Sequence, residues 1–316
     1  MKTVVLITKR TNPLFECALE NLKRQSDQNF EYIIVDAYWS QRHSLVENII
    51  KSANCEFPIK YIPDKPSRWS GRRPALSSAR NTAYLWSDPQ SDGLIFYDDC
   101  CTLNAVDLVE RHGEWMKKGI ACAGTWYSLP RVYGWEWRRK GMKKLEWVLC
   151  EGSWLHGGNF SVPIRALEGV GLWDEAYDGE IGVDDCDLGI RLSRSGCRVI
   201  FDPAIWVVYD TATHSLLQDD HTFKQEWVKE CASKSYKPKE RLLKDGKMHF
   251  SNEWLIERLN ENRLRIKPVG NKFDFKELRK KIQELDYRVD EVQEYLKNYI
   301  DPDPRDWRDS QLIEEM

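Results

Sequence analysis

An α/β protein, with a mostly parallel sheet covered by helices on both faces and a helical extension at its C-terminus, is the fold class that this sequence predicts. Three observations predict it. Continuous β-branched runs alternate with helix-spaced segments through the first hundred residues. The apolar runs end on polar residues, the pattern expected where strands of such a sheet open onto a ligand crevice. The last fifty residues change in kind and repeat apolar side chains at heptad spacing between charges.

The elements follow in order. "TVVLITK" (3–9) reads as a buried strand, because a run apolar on both faces suits a strand with helices above and below. "NPLFECALENLKRQ" (12–25) places Leu14, Ala18 and Leu22 on one helical face, with Asn12 and Pro13 suited to its cap and first turn. "FEYIIVDA" (30–37) is a second strand, "HSLVENIIKSA" (43–53) a second helix and "PIKYIPD" (58–64) a third strand. "ALSSARNTAYLWS" (75–87) is a third helix, and "DGLIFYDD" (92–99) a fourth strand. Beyond residue 102, "NAVDLVERHGEWMKKG" predicts a helix, and "ACAGTWYSLP" and "LEWVLCEG" predict strands around an aromatic, basic insert. "SVPIRALEGVG" (161–171) gives a strand end and a helix. "DDCDLGIRLSRSG" (184–196) gives a helix opened by acids and closed by Gly196, and "CRVIFDP" a further strand.

Composition narrows the function classes. The chain has 316 residues, 41% hydrophobic and 31% charged, enough for a sizeable core. A net charge of −3 gives no whole-molecule field for nucleic acid. Nine scattered cysteines, two adjacent at Cys100 and Cys101, do not form a disulfide framework. The apolar run at the start is too short for a signal peptide, and no stretch is long and apolar enough to span a membrane. The expectation is a cytoplasmic protein, with peripheral attachment at the inner membrane face as the alternative. A dinucleotide dehydrogenase would want a glycine-rich fingerprint after the first strand, and "TKRTNPLF" has none.

Thr8, Asp36, Asp64, Asp98 and Asp99 all fall at strand ends. Any one of these acids can be a strand becoming polar where it meets water; the set points to a site. Two adjacent carboxylates, Asp98 and Asp99, repel each other unless a cation compensates them, and a hard divalent ion on oxygen ligands does so while gripping a diphosphate. A second acidic cluster, Asp184, Asp185 and Asp187, opens the helix after residue 183; it is either a set of dipole partners or a general base beside the first cluster. His214 follows a strand-like run.

With those residues in view, the sequence resembles the family 2 glycosyltransferases of the GT-A fold, a Rossmann-like mixed sheet flanked by helices. The resemblance rests on "VVLITKR", "IIVDA", "SSARNTAYLWS", "FYDDC", "HGGNFSVPIRALEGVGLWDE" and "DDCDLGIRL", in family order over about residues 1–215. It implies a catalytic domain over 1–230; the remainder, 231–316, lies outside the resemblance and reads from its own heptad spacing as a helical C-terminal extension with a short coiled-coil-like segment. It implies a metal-dependent, inverting hexosyl- or N-acetylhexosaminyltransferase. The enzyme would move sugar from a nucleotide-sugar, most often a UDP-sugar, to a hydroxyl on a glycan or other acceptor. The alternative is a non-catalytic nucleotide- or carbohydrate-binding module on the same fold.

Residue by residue, the resemblance implies that Thr8, Arg10, Asp36, Arg80 and Asp98 bind the nucleotide. Asp99 and His214 would hold Mn2+ or Mg2+, and Asp185 would be the catalytic base. Asp184, Trp173, Asp174, Gly157 and Gly158 would support or border the acceptor. The sequence departs from the family twice. Cys100 stands where the metal motif has its second acid, and a thiol is a poor ligand for these hard ions. Asp184 replaces a glutamate and is one methylene shorter.

Residues 126–154, dense in tryptophan and basic side chains, are open to several readings. They suit an acceptor platform for an anionic glycan. They also suit a patch on anionic lipid, a surface for DNA, or core aromatics around a solvated basic loop. In the tail, Leu278, Ile282, Leu285, Val289, Val292 and Leu296 recur at heptad spacing. Homo-oligomerisation through 275–296 is the expectation, and a brace against the chain's own domain the alternative.

Overall fold

The first four strands and three helices alternate as the sequence predicts: β1 (Lys2–Thr8), α1 (Phe15–Lys23), β2 (Phe30–Asp36), α2 (Trp39–Ala53), β3 (Ile59–Pro63), α3 (Leu76–Trp86) and β4 (Gly93–Asp98). The computed structural model describes residues 1–10, 13–65, 75–129, 138, 146–175, 178, 184–210, 242–244, 247–249, 275–285 and 289–296. The next elements are β5 (Cys101–Thr102), α4 (Leu108–Lys117), β6 (Ala121–Leu129) and β7 (Val148–Cys150). A 3-10 turn (Gly152–Trp154) leads to β8 (Asn159–Pro163), α5 (Ile164–Gly169), α6 (Asp184–Arg194) and β9 (Val199–Asp210). The C-terminal elements are β10 (Leu242–Lys244), β11 (Lys247–His249), α7 (Phe275–Glu284) and α8 (Val289–Leu296).

All the strands join one sheet, in the order β10-β11-β7-β9-β6-β8-β4-β1-β2-β3, with β5 paired to β9. β3, β2, β1 and β4 are mutually parallel, whereas β8 runs antiparallel to both β4 and β6. The chain winds outward from β1 through β2 to β3, then returns to the other side of β1 as β4. The strand order therefore reverses between β1 and β4, where an open α/β sheet forms its ligand crevice. Ile7 pairs with Asp98 in register, so Thr8 and Asp99 emerge side by side at that switch point.

Strand alternation divides the core. Val5, Ile7, Ile33, Val35, Leu94 and Phe96 face α3, α5 and α6; Val4, Leu6, Tyr32, Ile34, Ile95 and Tyr97 face α1, α2 and α4. Both faces are covered, which is why these strands read as continuous apolar runs rather than alternating ones. Three features escape periodicity. The two-residue β5 is too short to signal. β9 continues through Asp202 and Pro203 to Asp210, and β10 and β11 extend the sheet from a polar segment. Asn12 lies outside the described residues, and α1 begins from Leu14 without a side-chain cap.

The described tail residues form the brace against the chain's own domain that the sequence offers as the alternative. Leu278, Ile282 and Val292 are buried in the same core cluster as Ala83 and Tyr84 of α3, with Leu285 and Val289 packed against it. Arg279 clamps the end of α3, donating to the carbonyl of Ser87 at 3.0 Å and to Ser87 Oγ at 2.8 Å over the ring of Tyr84. Leu278, Ile282, Leu285, Val289 and Val292 of the heptad stripe are thus covered within their own chain. Among the described residues no helix is long and apolar enough to cross a membrane.

Candidate active site

The switch point gathers the first group of acids. Thr8 Oγ1 donates to Asp99 Oδ2 at 2.7 Å, and Arg10 Nε donates to Asp99 Oδ1 at 2.6 Å. Thr8 Oγ1 also accepts the Arg10 backbone N–H at 3.2 Å. One strand away, Asp36 is fully buried and saturated. It takes two hydrogen bonds from Arg42, at 2.7 Å each, one from the Tyr61 hydroxyl at 2.6 Å and one from the Tyr38 backbone N–H at 2.8 Å. Arg42 Nη1 reaches on to the carbonyl of Arg10 at 2.6 Å, which ties the ends of β1 and β2 together.

The second group arrives from β8 and α6. Gly157 and Gly158 precede β8, the antiparallel neighbour of β4, so they lie directly beside Asp98. A Cβ on Gly157 would sit 2.7 Å from Arg80 Nη2, 3.3 Å from Asp185 Oδ2 and 3.7 Å from Asp98 Oδ1. One on Gly158 would sit 3.4 Å from Asp98 Oδ2 and collide with the Trp126 ring. Glycine is required here because any side chain would fill the point where the two acidic clusters meet. Asp185 accepts the Gly157 backbone N–H through Oδ2 and the Cys186 N–H through Oδ1. Asp184 is paired with Arg80 from α3. Asp187 turns away to Arg191, at 2.8 Å, outside this group.

Charge is concentrated where the clusters meet. The Asp98 carboxyl is raised to about 7, chiefly by burial; Arg80 opposes the rise, and the negative charges of Asp99 and Asp185 add to it. Asp184 is raised to about 6 by burial, against the pull of Arg80 and with a further push from Asp185. Among the described residues none donates a hydrogen bond to the Asp98 carboxylate.

Thr8, Arg10, Arg80, Asp98, Asp99, Gly157, Gly158, Asp184 and Asp185 therefore form one contiguous group, with Asp36 behind it on the β2 side. Trp173 does not join them. Its indole is a core side chain, 5.0 Å from Phe96 and edge-on to it, and its backbone is held by Asn81. Asp174 is half-buried beside it. His214 and most of the aromatic insert lie outside the described residues. From that insert Arg138 is fully buried, donating to the carbonyls of Trp154 and Gly124 at 3.0 Å each, and Trp154 is itself core. Trp154 matches the core-aromatic reading of the segment, whereas Arg138 is a basic side chain packed into the core rather than a solvated one.

Sequence reasoning missed three supporting side chains. Arg42 stands one turn into α2, where helical spacing brings it back over the end of β2. Asp178 accepts the backbone N–H groups of Ser77 and Ser78 at the start of α3, at 2.9 and 3.2 Å, and so fixes the helix that carries Arg80. An acid before a helix is a visible signal, but this one comes from a hundred residues away. Trp126 closes the wall beside Gly158, 5.5 Å from the His156 ring.

The donor set is compatible with a hard divalent cation. Asp98 offers a carboxylate without a hydrogen-bond donor, and Asp99 adjoins it. Among the described residues no group of three His, Cys, Asp or Glu side chains is arranged to hold a metal ion. Two carboxylates nevertheless suffice for an ion that takes its remaining ligands from phosphate oxygens and water.

This sheet, with its acids at the β1/β4 switch point and glycines at the start of the antiparallel β8, is the GT-A fold found in nucleotide-sugar glycosyltransferases. No protein-family profile matches the sequence, nor does any curated protein sequence. The fold is similar to that of the mannosyltransferase PcManGT from Pyrobaculum calidifontis, solved with GDP-Man and Mn2+. That likeness has a TM-score of 0.52 at 17% identity and covers 67% of this chain and 57% of the other. It is also similar to GalNAc-T7, solved with UDP, GalNAc and Mn2+: TM-score 0.50, 14% identity, 66% of this chain and 44% of the other. The chain thus spans about half the length of these structural relatives.

Proposed function

We propose that the protein is a metal-dependent, inverting glycosyltransferase of the family 2 type, transferring a hexosyl or N-acetylhexosaminyl group from a UDP-sugar to an acceptor hydroxyl. The observation that carries this is the meeting of Asp98, Asp185 and Arg80 around Gly157. A nucleoside diphosphate needs cationic groups beside it, and a reacting sugar needs a carboxylate within reach on the other side; this group supplies both. The similar structures, one solved with GDP-Man and one with UDP and both with Mn2+, support a nucleotide-sugar donor and the ion.

Asp98 and Asp99 would hold the cation, with His214 as a third ligand. When bound, Mn2+ or Mg2+ neutralises charge that develops on the departing diphosphate. The chain's residues do the rest. Thr8, Arg10 and the Arg42–Asp36 pair shape the nucleotide side of the crevice. Arg80 keeps Asp184 and the start of α6 in place and contributes positive charge beside the leaving group. Asp185 removes the acceptor's hydroxyl proton as that oxygen bonds to the anomeric carbon from the face opposite the diphosphate. The carbon–phosphate-oxygen bond breaks, its electron pair leaves with UDP, and configuration inverts. Trp173 contributes by packing under Asn81 and α3, not by touching the acceptor.

The test is hydrolysis of UDP-sugars with added Mn2+, where water replaces the acceptor. Slow hydrolysis by the wild type, lost in Asp185→Asn and in Asp99→Asn, is expected, with nucleotide binding better preserved in Asp185→Asn. Equal hydrolysis by all three proteins would reject the proposal and leave a binding module.

A further inference from the structure

Arg10 is held in an unusual way for a residue beside a cation site. Its backbone is pinned at both ends, by the N–H bond to Thr8 Oγ1 and by Arg42 on its carbonyl. Its side chain is only 5% exposed, yet only Nε is used, on Asp99 Oδ1. Neither terminal nitrogen of the guanidinium meets a hydrogen-bond partner among the described residues. Asp99 has both oxygens engaged, one by Arg10 and one by Thr8. Asp98, next to it, has neither oxygen engaged by a hydrogen bond among the described residues.

We infer that Arg10 is a charge latch that makes cation binding depend on the nucleotide. In the free protein its Nε occupies the Asp99 oxygen that a divalent ion needs. A nucleoside diphosphate offers phosphate oxygens to the unused terminal nitrogens, for which a guanidinium fork is well suited. The side chain then swings on its fixed backbone toward the phosphates and leaves Asp99 to the ion. Exchange of one anionic partner for another keeps the guanidinium paired throughout, so the switch avoids an uncompensated buried charge. Thermodynamic reciprocity requires the converse: a bound cation must favour nucleotide to the same degree. The consequence is that the cation and the donor enter together, and the carboxylates are guarded against adventitious metal when no donor is present.

The latch rests on the cation-and-diphosphate site of the proposed function, but its test does not use activity. Mn2+ is titrated calorimetrically into the intact wild type, Arg10→Met, Arg10→Lys and Asp99→Asn proteins, with and without saturating UDP, after thermal melting shows that each is folded. Without UDP, Arg10→Met should bind Mn2+ about tenfold more tightly than the wild type, equivalent to ~1.4 kcal/mol. Arg10→Lys should fall between them, because an ammonium still neutralises Asp99 but lacks the fork, and it decides the matter if the methionine variant does not fold. Combined with Asp99→Asn, Arg10→Met should show no gain over Asp99→Asn alone. Mn2+ affinity in Arg10→Met equal to or weaker than wild type overturns the latch, as does a gain that survives Asp99→Asn. Absent hydrolysis with the Arg10 gain intact overturns the enzymatic proposal and leaves the latch; intact hydrolysis without the gain does the reverse.

Discussion

Asp64, at the end of β3, shows how much a single carboxylate can be displaced by its place in the fold. It accepts hydrogen bonds from Thr82 Oγ1 at 2.9 Å and Ser78 Oγ at 3.3 Å. Burial nevertheless raises it to about 7; Thr82 and Lys65 oppose the rise, and Glu175 adds to it. An unfolded aspartate ionises near ~3.9. Between those values the folded state holds the extra proton, so this group's contribution to stability is full below about 4 and is lost as pH rises through about 7. Asp64→Asn removes that loss while keeping an acceptor for Thr82. The variant should lose less stability than the wild type between pH 4.5 and 7.5, a difference of about 3 kcal/mol, read by thermal melts across that range. Parallel pH curves for the two proteins would contradict this. At this scale the sequence made the acids visible but not their partners. The adjacent Asp98 and Asp99 announce themselves; that Asp99 is held by Arg10 and Asp36 by Arg42 depends on side-chain reach across neighbouring strands, which spacing does not encode.

Helix α6 is the element whose position matters most, because its first turn carries Asp184 and Asp185. The sequence marks its start by acids and its end by Gly196, whose φ of +91° suits glycine. Gly189, in mid-helix, looks from sequence alone like a weakness, since alanine in a helix interior is normally better by ~1 kcal/mol. The structure reverses that sign. A Cβ at Gly189 would overlap the carbonyl of Gly152 in the 3-10 turn and lie 2.9 Å from Leu155 Cβ. The two backbones are in direct contact, and this contact sets α6 against the segment that leads into Gly157 and Gly158. Gly189→Ala should therefore destabilise the protein by about 1–3 kcal/mol in denaturant unfolding, against the helix-propensity trend. An unchanged or raised midpoint would show that the contact yields freely.

At the scale of the whole molecule, the C-terminal helices pack on the α3 face of the sheet. Ile282 is fully buried on α7, and Arg279 and Gln283 both donate to the carbonyl of Ser87. These bonds satisfy carbonyls at the end of α3, the helix whose other side presents Arg80 to the site. Ile282→Ala should cost about 2–4 kcal/mol of stability. Removing residues 270–316 should leave the mass measured by light scattering at that of the same assembly, while lowering the melting temperature. A smaller assembly after deletion would restore self-association as the role of the stripe. The heptad pattern was legible, but an apolar stripe states only that something covers it. The sequence by itself determined the strand–helix alternation, the acids at the strand ends and the glycines before β8, because periodicity and backbone freedom are local properties of the chain. Only the tertiary structure decided that Asp98 and Asp185 share one point beside Gly157, that Trp173 and Arg138 belong to the core, and that the tail folds onto α3. Those outcomes depend on which distant segments the sheet order and packing bring into contact, and no local pattern carries that distance.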